Sequence, residues 1–271
     1  MTRIGVLQMT SGIEPDGNAQ TLVGAIARAA DDGAAMLFTP EMSGMLDRDR
    51  KRAAASIRAE DQDIVLSAVR EASAKHGVWT CIGSIAVDTG VGKWANRSIV
   101  VDDKGEIAAR YDKIHMFDVD LASGESWRES NAYEAGKKVV TVETPLGKLG
   151  LTICYDLRFP ALFQALGNAG CDVIAIPAAF TVPTGTAHWH VLQRARAIEA
   201  SAFVVAAAQV GAHQDGRQTY GHSLAIDPWG DVLLDMGGEE PGLEFVEIDP
   251  TRIKEVRAQV PSLANRREIA N

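Results

Sequence analysis

The sequence predicts a layered α/β sandwich that mixes parallel and antiparallel strands. Short apolar runs alternate with helical patterns from Arg3 onward, which is the signature of βαβ units. Strands then outnumber helices in the middle and at the end of the chain, so a plain doubly wound parallel sheet does not account for them. No Pro/Ser-rich linker, low-complexity tract or fixed-period repeat interrupts the 271 residues, and 1–271 reads as one domain.

The elements follow in order. A strand over Arg3–Met9 leads to a helix over Ala19–Asp32, which Gly33 ends, and to a strand over Ala35–Phe38. Gln62–His76 carries Ile64, Val65, Ala68, Val69 and Ala72 on one 3.6-period stripe, with Gly77 closing it before a strand over Val78–Val87. Ser98–Val101 and Glu106–Tyr111 flank Asp102-Asp103-Lys104-Gly105, a hairpin turn, and a long connection follows. Lys148–Ile153 is a strand ending at Cys154, and Pro160–Ala169 is a helix with Pro in its first turn and Gly170 after it. Strand Val173–Ile176, helix Ala187–Ala200 and strand Phe203–Ala208 continue the alternation. Strands around Ser223–Ile226, Val232–Leu234 and Leu243–Ile248 precede a last helix over Pro250–Gln259.

Composition narrows the function. With 27 Lys+Arg against 36 Asp+Glu the net charge is −9, which argues against a nucleic-acid partner. No apolar run approaches the ~18 residues of a membrane span, and Met1–Leu7 reads as a strand instead of a signal peptide, so a cytoplasmic protein is expected. The three cysteines are too few and too irregular for a disulfide framework or paired metal knuckles.

Each cysteine is therefore weighed alone. Cys154 stands at the carboxyl end of a strand, just before a helix begins, where backbone N–H groups favour a thiolate and could hold an oxyanion. The competing reading is a buried structural cysteine. Cys81, within an apolar strand, and Cys171, beside a buried one, read as inert core residues. Glu41 ends an apolar strand and Pro40, where ligand sites gather in α/β sheets, though an ordinary loop acid has the same appearance. Lys113 follows a strand and by itself is an unremarkable lysine.

Three patterns mislead. Gly221-His222-Ser223 nearly spells a nucleophile elbow, but a turn and another strand follow it, so Ser223 reads as a strand residue. Gly90-Val91-Gly92 links two strands and opens no helix, so it is a loop and no dinucleotide cofactor is expected. His188 and His190 lie about 200° apart on a helix and cannot chelate one ion together, so no catalytic metal is expected either.

Taken together, Thr39-Pro40-Glu41, Arg110-Tyr111-Asp112-Lys113-Ile114-His115 and Leu151-Thr152-Ile153-Cys154-Tyr155-Asp156-Leu157-Arg158-Phe159-Pro160 resemble the signature segments of the nitrilase superfamily, the carbon–nitrogen hydrolases. Ala187-His188-Trp189, the stretch Arg194–Glu199, Tyr220-Gly221-His222-Ser223 and Asp227-Pro228-Trp229-Gly230 are similar to its Nit branch. The resemblance covers nearly the whole chain. It implies a four-layer αββα sandwich, association into at least homodimers, and a catalytic Glu41, Lys113 and Cys154. It also implies a second glutamate sixteen residues after the lysine, which is Glu129.

The chemistry this implies is amide hydrolysis through a cysteine acyl-enzyme, with ammonia and a carboxylic acid as products. Glu41 moves protons, Cys154 attacks, and Lys113 with the Tyr155 N–H stabilises the oxyanion. Burial and mutual repulsion of Glu41 and Glu129 would keep Glu41 competent to exchange protons near neutral pH. Arg158 is a candidate grip for a substrate carboxylate, against the alternative of a structural ion pair. Phe180 and Thr184 match the branch's pocket loop. Arg194–Glu199 is closer to the deaminated-glutathione amidases than to the omega-amidases, which act on 2-oxoglutaramate-type monoamides. Met42–Asp47 departs from the branch in carrying no aromatic, and the chain stops at Asn271, where relatives continue into a tail. Hydrolysis of an N-carbamoyl amino acid or a nitrile, a metal-dependent amidohydrolase, and an inactive interaction module remain as alternatives.

Overall fold

In the computed structural model, which describes residues 1–122, 124 and 126–267, the chain folds into two six-stranded sheets with helices outside them. The first half supplies β1 (Thr2–Gln8), α1 (Pro15–Asp31), β2 (Met36–Phe38), α2 (Arg50–Ala54), α3 (Ile64–His76), β3 (Trp79–Asp88), β4 (Trp94–Val101) and β5 (Ile107–Asp112). A connecting region carries β6 (Asp118–Asp120), β7 (Ser126–Arg128) and β8 (Thr141–Thr144). The second half supplies β9 (Gly147–Leu151), α4 (Pro160–Asn168), β10 (Val173–Ala175), α5 (Val182–Ala200) and β11 (Phe203–Ala206). It ends with β12 (Val210–Ala212), β13 (Gln218–Tyr220), β14 (Leu224–Ile226), β15 (Val232–Asp235), β16 (Gly242–Ile248) and α6 (Pro250–Gln259).

The sheet orders are β16-β1-β2-β3-β4-β5 and β15-β14-β11-β10-β9-β8. In each, three parallel strands (β1, β2, β3 and β9, β10, β11) are flanked by antiparallel ones on both sides. The two halves therefore repeat one plan. Side chains alternate across the first sheet: Leu7, Leu37, Ile82 and Val101 pack outward on Leu22 and Ile26 of α1 and Val65 and Val69 of α3. Val6, Phe38, Cys81 and Val100 join a second core with Leu149, Ile174 and Val204 of the other sheet and with Phe163 of α4 and Trp189 of α5. Helix, sheet, sheet and helix are thus stacked as a four-layer αββα sandwich, and each fully buried Leu, Ile or Phe contributes about 1.5–3 kcal/mol to holding it.

Most elements lie where the sequence predicts them. α1 and α5 start four and five residues earlier than expected, because Pro15 and Pro183 begin these helices instead of preceding them. Gly90–Gly92 is the β3–β4 loop, and Ser223 abuts β14 with its hydroxyl bonded to Gln8. Asn271 lies outside the described residues. Among the described residues no helix is long and apolar enough to cross a membrane.

Candidate active site

The site forms where ends of parallel strands from both sheets meet. Glu41 follows β2 by three residues, Cys154 follows β9 by three, and Lys113 is the residue after β5. The Thr39–Glu41 segment is pressed against β3 so closely that a Cβ at Gly83 would lie 2.1 Å from the Thr39 carbonyl oxygen, and only glycine fits there. Gln209 donates to the Glu41 carbonyl at 2.9 Å, and the Gly83 N–H bonds the Thr39 hydroxyl at 3.1 Å. The carboxylate is thereby aimed across the gap between the sheets.

Lys113, with 2% of its side chain exposed, is the hub. Its Nζ donates to Glu41 Oε1 at 2.9 Å and to the two oxygens of Glu129 at 2.9 and 3.1 Å. Asn96 Nδ2 donates 3.0 Å bonds to both Glu41 and Glu129, while the Ala179 N–H reaches Glu41 Oε2 at 2.8 Å and the Phe117 N–H reaches Glu129 at 2.7 Å. The buried Glu41 and the half-buried Glu129 thus share one ammonium and a ring of neutral donors.

Cys154 opens a five-residue 3₁₀ turn and adopts a left-handed φ of +48°, a conformation costly for a non-glycine residue. The surroundings enforce it. Its N–H is bonded to the Pro177 carbonyl at 2.8 Å, and buried Asp156 accepts from the Ile153 N–H, the Tyr111 hydroxyl and the His115 N–H at 2.9, 2.6 and 3.0 Å. Arg196 clamps the Leu157 carbonyl from α5 at 2.8 Å. The Tyr155 N–H has no hydrogen-bond partner among the described residues and stays available beside the thiol.

The charges differ from the sequence-based expectation. Burial pushes the Cys154 thiol well above its ordinary range, and the Glu41 charge adds to this, with Lys113 only partly opposing them. Burial thus opposes the thiolate that the position before a helix favours, because loss of water outweighs the local dipoles. Burial raises Glu41, but the Lys113 charge together with bonds from Lys113, Cys154 and Ala179 more than offsets it and leaves Glu41 below its ordinary value. Burial and repulsion from Glu129 were expected to raise Glu41; the Lys113 charge and these bonds lower it instead. Lys113 is itself held well above its ordinary range, since Glu129, Glu41 and Cys154 overcome its burial.

One cleft is lined by Glu41, Lys113, Glu129 and Cys154, and by Tyr155, Phe180 and Thr184. Its floor near Glu41 is Met42 and Met45, backed by Trp94 and Tyr133, so aromatic rings from β4 and the connecting region take the place of an aromatic after the glutamate. Arg158 lies outside the lining. Its guanidinium sits over the Tyr155 and Phe180 rings at 5.9 and 5.3 Å and meets His188 at 3.2 Å, with no acid as partner. Arg48 and Arg50 do line the cleft, and among the described residues neither has a carboxylate within ion-pair distance. Asn96, Asp156 and Arg48 were not anticipated; Asn96 opens the polar run Asn96-Arg97-Ser98 of β4, so nothing in the local pattern singles it out. Cys81 is buried and pushed up to about 12, chiefly by desolvation, as is Cys171, in keeping with inert roles.

The four-layer sandwich and the clustering of acid, ammonium and thiol define a class, the thiol hydrolases of α/β build. The chain belongs to the carbon–nitrogen hydrolase family, whose model matches residues 3–258. It is similar to a protein of Yersinia enterocolitica named deaminated glutathione amidase, at 38% identity over 99% of this chain and 94% of that one. The NitFhit protein of C. elegans superposes with a TM-score of 0.90 at 36% identity, covering 98% of this chain and 65% of that one. A glutamate-to-glutamine mutant of the amidase from Nesterenkonia sp. AN1, with acrylamide added at its active-site cysteine, superposes with a TM-score of 0.81 at 25% identity over 96% and 98% of the two chains.

Proposed function

We propose that this protein, acting as one domain, is an amidase that hydrolyses the carboxamide of a small carboxylate-bearing compound of the deaminated-glutathione type. The observation that carries the proposal is the buried Glu41–Lys113–Glu129 cluster in one cleft with Cys154. Amide cleavage needs a nucleophile, a proton carrier and positive charge at the developing oxyanion, and each is at hand.

Glu41 takes the thiol proton as sulfur attacks the carboxamide carbon. The oxyanion is met by the positive charge of Lys113, which can turn one N–H away from Glu129, the acceptor of two of its three bonds, and by the Tyr155 N–H. Collapse of this intermediate breaks the C–N bond, Glu41 gives the proton to the leaving nitrogen, and ammonia departs from a Cys154 thioester. Water then loses a proton to Glu41 and attacks the thioester, and the proton returns to sulfur as the acid is released. Glu129 holds Lys113 in place. Because the resting pair is neutral thiol and carboxylate, proton transfer is coupled to attack, and no free thiolate accumulates.

Arg48 and Arg50, exposed at the cleft and without an acidic partner, are the cations we assign to the substrate carboxylate, with Phe180 and Thr184 against the acyl chain. Arg158 then serves by stacking on Tyr155 and Phe180. We further read the protein as a cytoplasmic homodimer or larger homo-oligomer; the exposed apolar side chains Val191 and Ile198 on α5 and Val232 and Leu233 on β15 support self-association. Ammonia release measured on deaminated glutathione, 2-oxoglutaramate, an N-carbamoyl amino acid and a nitrile tests the assignment. Highest kcat/KM on the first supports it; a preference for either of the last two overturns it.

A further inference from the structure

The sequence sets His188 and His190 apart on their helix, and the structure gives them different partners: His188 meets Arg158, whereas His190 meets Asp235. A third residue completes the second group. His190 Nε2 lies 2.9 Å from Asp235 Oδ2, and His222 Nδ1 lies 2.9 Å from Asp235 Oδ1, so two imidazoles from different elements converge on one carboxylate. One donor atom from each of the three lies within 4.8 Å of the others. We propose that His190, His222 and Asp235 form a binding site for a divalent transition-metal ion of the zinc type, separate from the cleft that holds Cys154.

The donor set fits such an ion. Two imidazole nitrogens and one carboxylate oxygen suit zinc and its neighbours, while magnesium and calcium prefer all-oxygen sites. Tetrahedral bonds of about 2.0–2.2 Å to a shared ion place neighbouring ligand atoms roughly 3.3–3.6 Å apart. Each nitrogen lies 2.9 Å from a different oxygen of Asp235, a little inside that spacing, so the imidazoles need to close on each other and on one shared oxygen. Both rings carry a proton toward Asp235 when neutral. Coordination requires it to move to the other ring nitrogen, and among the described residues neither His190 Nδ1 nor His222 Nε2 has a hydrogen-bond partner that would resist this.

The ligands are also held before any ion arrives. His222 has a left-handed φ of +52°, with its N–H bonded to the Gly237 carbonyl at 2.7 Å and its carbonyl accepting from Trp189 Nε1 at 2.8 Å. Tyr220 stacks on its ring at 4.5 Å, and the Gly237 N–H fixes Asp235 Oδ1 at 3.0 Å. Such outer contacts orient metal ligands and raise affinity. His222 also lines a surface hollow with Glu239 and Glu240, whose charge draws cations toward the site. The ion would tie α5 to the β13–β14 connection and to β15, leaving its remaining positions to water.

The test uses the full chain, stripped with chelator and carrying Cys154→Ser so that the active-site thiol cannot compete. Zn²⁺ is titrated by calorimetry, and Co²⁺ by visible absorption. The expected result is one Zn²⁺ per chain with micromolar or tighter affinity and a Co²⁺ spectrum with nitrogen ligation, both weakened at least about tenfold by His190→Gln, His222→Ala or Asp235→Asn and unchanged by His188→Ala. Should His222→Ala fail to fold, the other two variants carry the same comparison. Absence of stoichiometric Zn²⁺ binding, or binding that survives His190→Gln and Asp235→Asn, overturns the site.

Discussion

Lys113 Nζ stands 2.9 Å from Glu41 Oε1 with both side chains shut away from water. That contact sets the protonation of the whole cluster, because it keeps Glu41 ionised beside a thiol that burial keeps neutral.

Replacing Glu41 by Gln separates the two roles of this carboxylate. The proton carrier is lost, and turnover should fall by about 10²–10⁴ or more. The negative charge that helps hold the proton on Cys154 is lost as well, leaving Lys113 to favour the thiolate. The midpoint of Cys154 alkylation against pH should therefore move down in the slower enzyme, which iodoacetamide labelling followed by mass spectrometry measures. An unmoved midpoint would mean that Glu41 does not act on the sulfur.

On the proposed mechanism Lys113→Ala removes an oxyanion donor, and it leaves Glu41 and the half-buried Glu129 without their shared cation. We expect kcat to fall by about 10²–10³ and unfolding free energy to fall by roughly 3–5 kcal/mol. Urea titration read beside steady-state kinetics checks both, and Lys113→Ala combined with Glu129→Gln should recover part of the stability and none of the activity.

The cluster also predicts the shape of the stability profile. Glu41 is lowered from its ordinary 4.5, so its contribution is complete above that value and is lost as pH falls through the folded-state pKa. Cys154 and Lys113 are raised from 9.0 and 10.5, so theirs are complete below those values and are lost as pH rises. Denaturant midpoints should be flat with respect to this cluster from 4.5 to 9.0, and Cys154→Ala should reduce the alkaline decline that begins at 9.0.

Recognition of the substrate carboxylate is assigned to Arg48 in preference to Arg158. Arg48→Ala should raise KM about tenfold or more for an acidic amide while leaving a neutral amide of the same size nearly unaffected, since charge-assisted bonds contribute about 1.5–3 kcal/mol. Arg158→Ala should instead depress both substrates alike by loosening Tyr155 and Phe180. Equal KM effects of Arg48→Ala on the two amides would remove it from the site.

Much of this was legible before the structure. The βαβ opening, the β4–β5 hairpin and the strand running up to Cys154 follow from periodicity and turn residues, since these elements bury a face and carry the pattern that burial imposes. The three-residue pairs β6–β7 and β12–β13 were not foreseen, because so short a ladder has no room for a period. Edge strand β8 escaped for a related reason: only Val142 is apolar.

The same limit governs the site. Glu41 and Cys154 stand at strand ends, where position alone raises suspicion, but Lys113 is ordinary until its burial is known. Glu129 sits in a three-residue 3₁₀ turn inside the long connection and was reached only through resemblance. Asn96 and Asp156 act by hydrogen bonds to residues as many as 55 positions away, a relationship no local pattern records.

The central claim, that Cys154 becomes acylated through this cluster, is tested most directly by intact-protein mass spectrometry on enzyme quenched during turnover of deaminated glutathione. We predict an acyl adduct, the mass of the substrate less ammonia, mapped to Cys154 and absent from Cys154→Ala. Sustained ammonia release by Cys154→Ala, or an adduct on another residue, would contradict it.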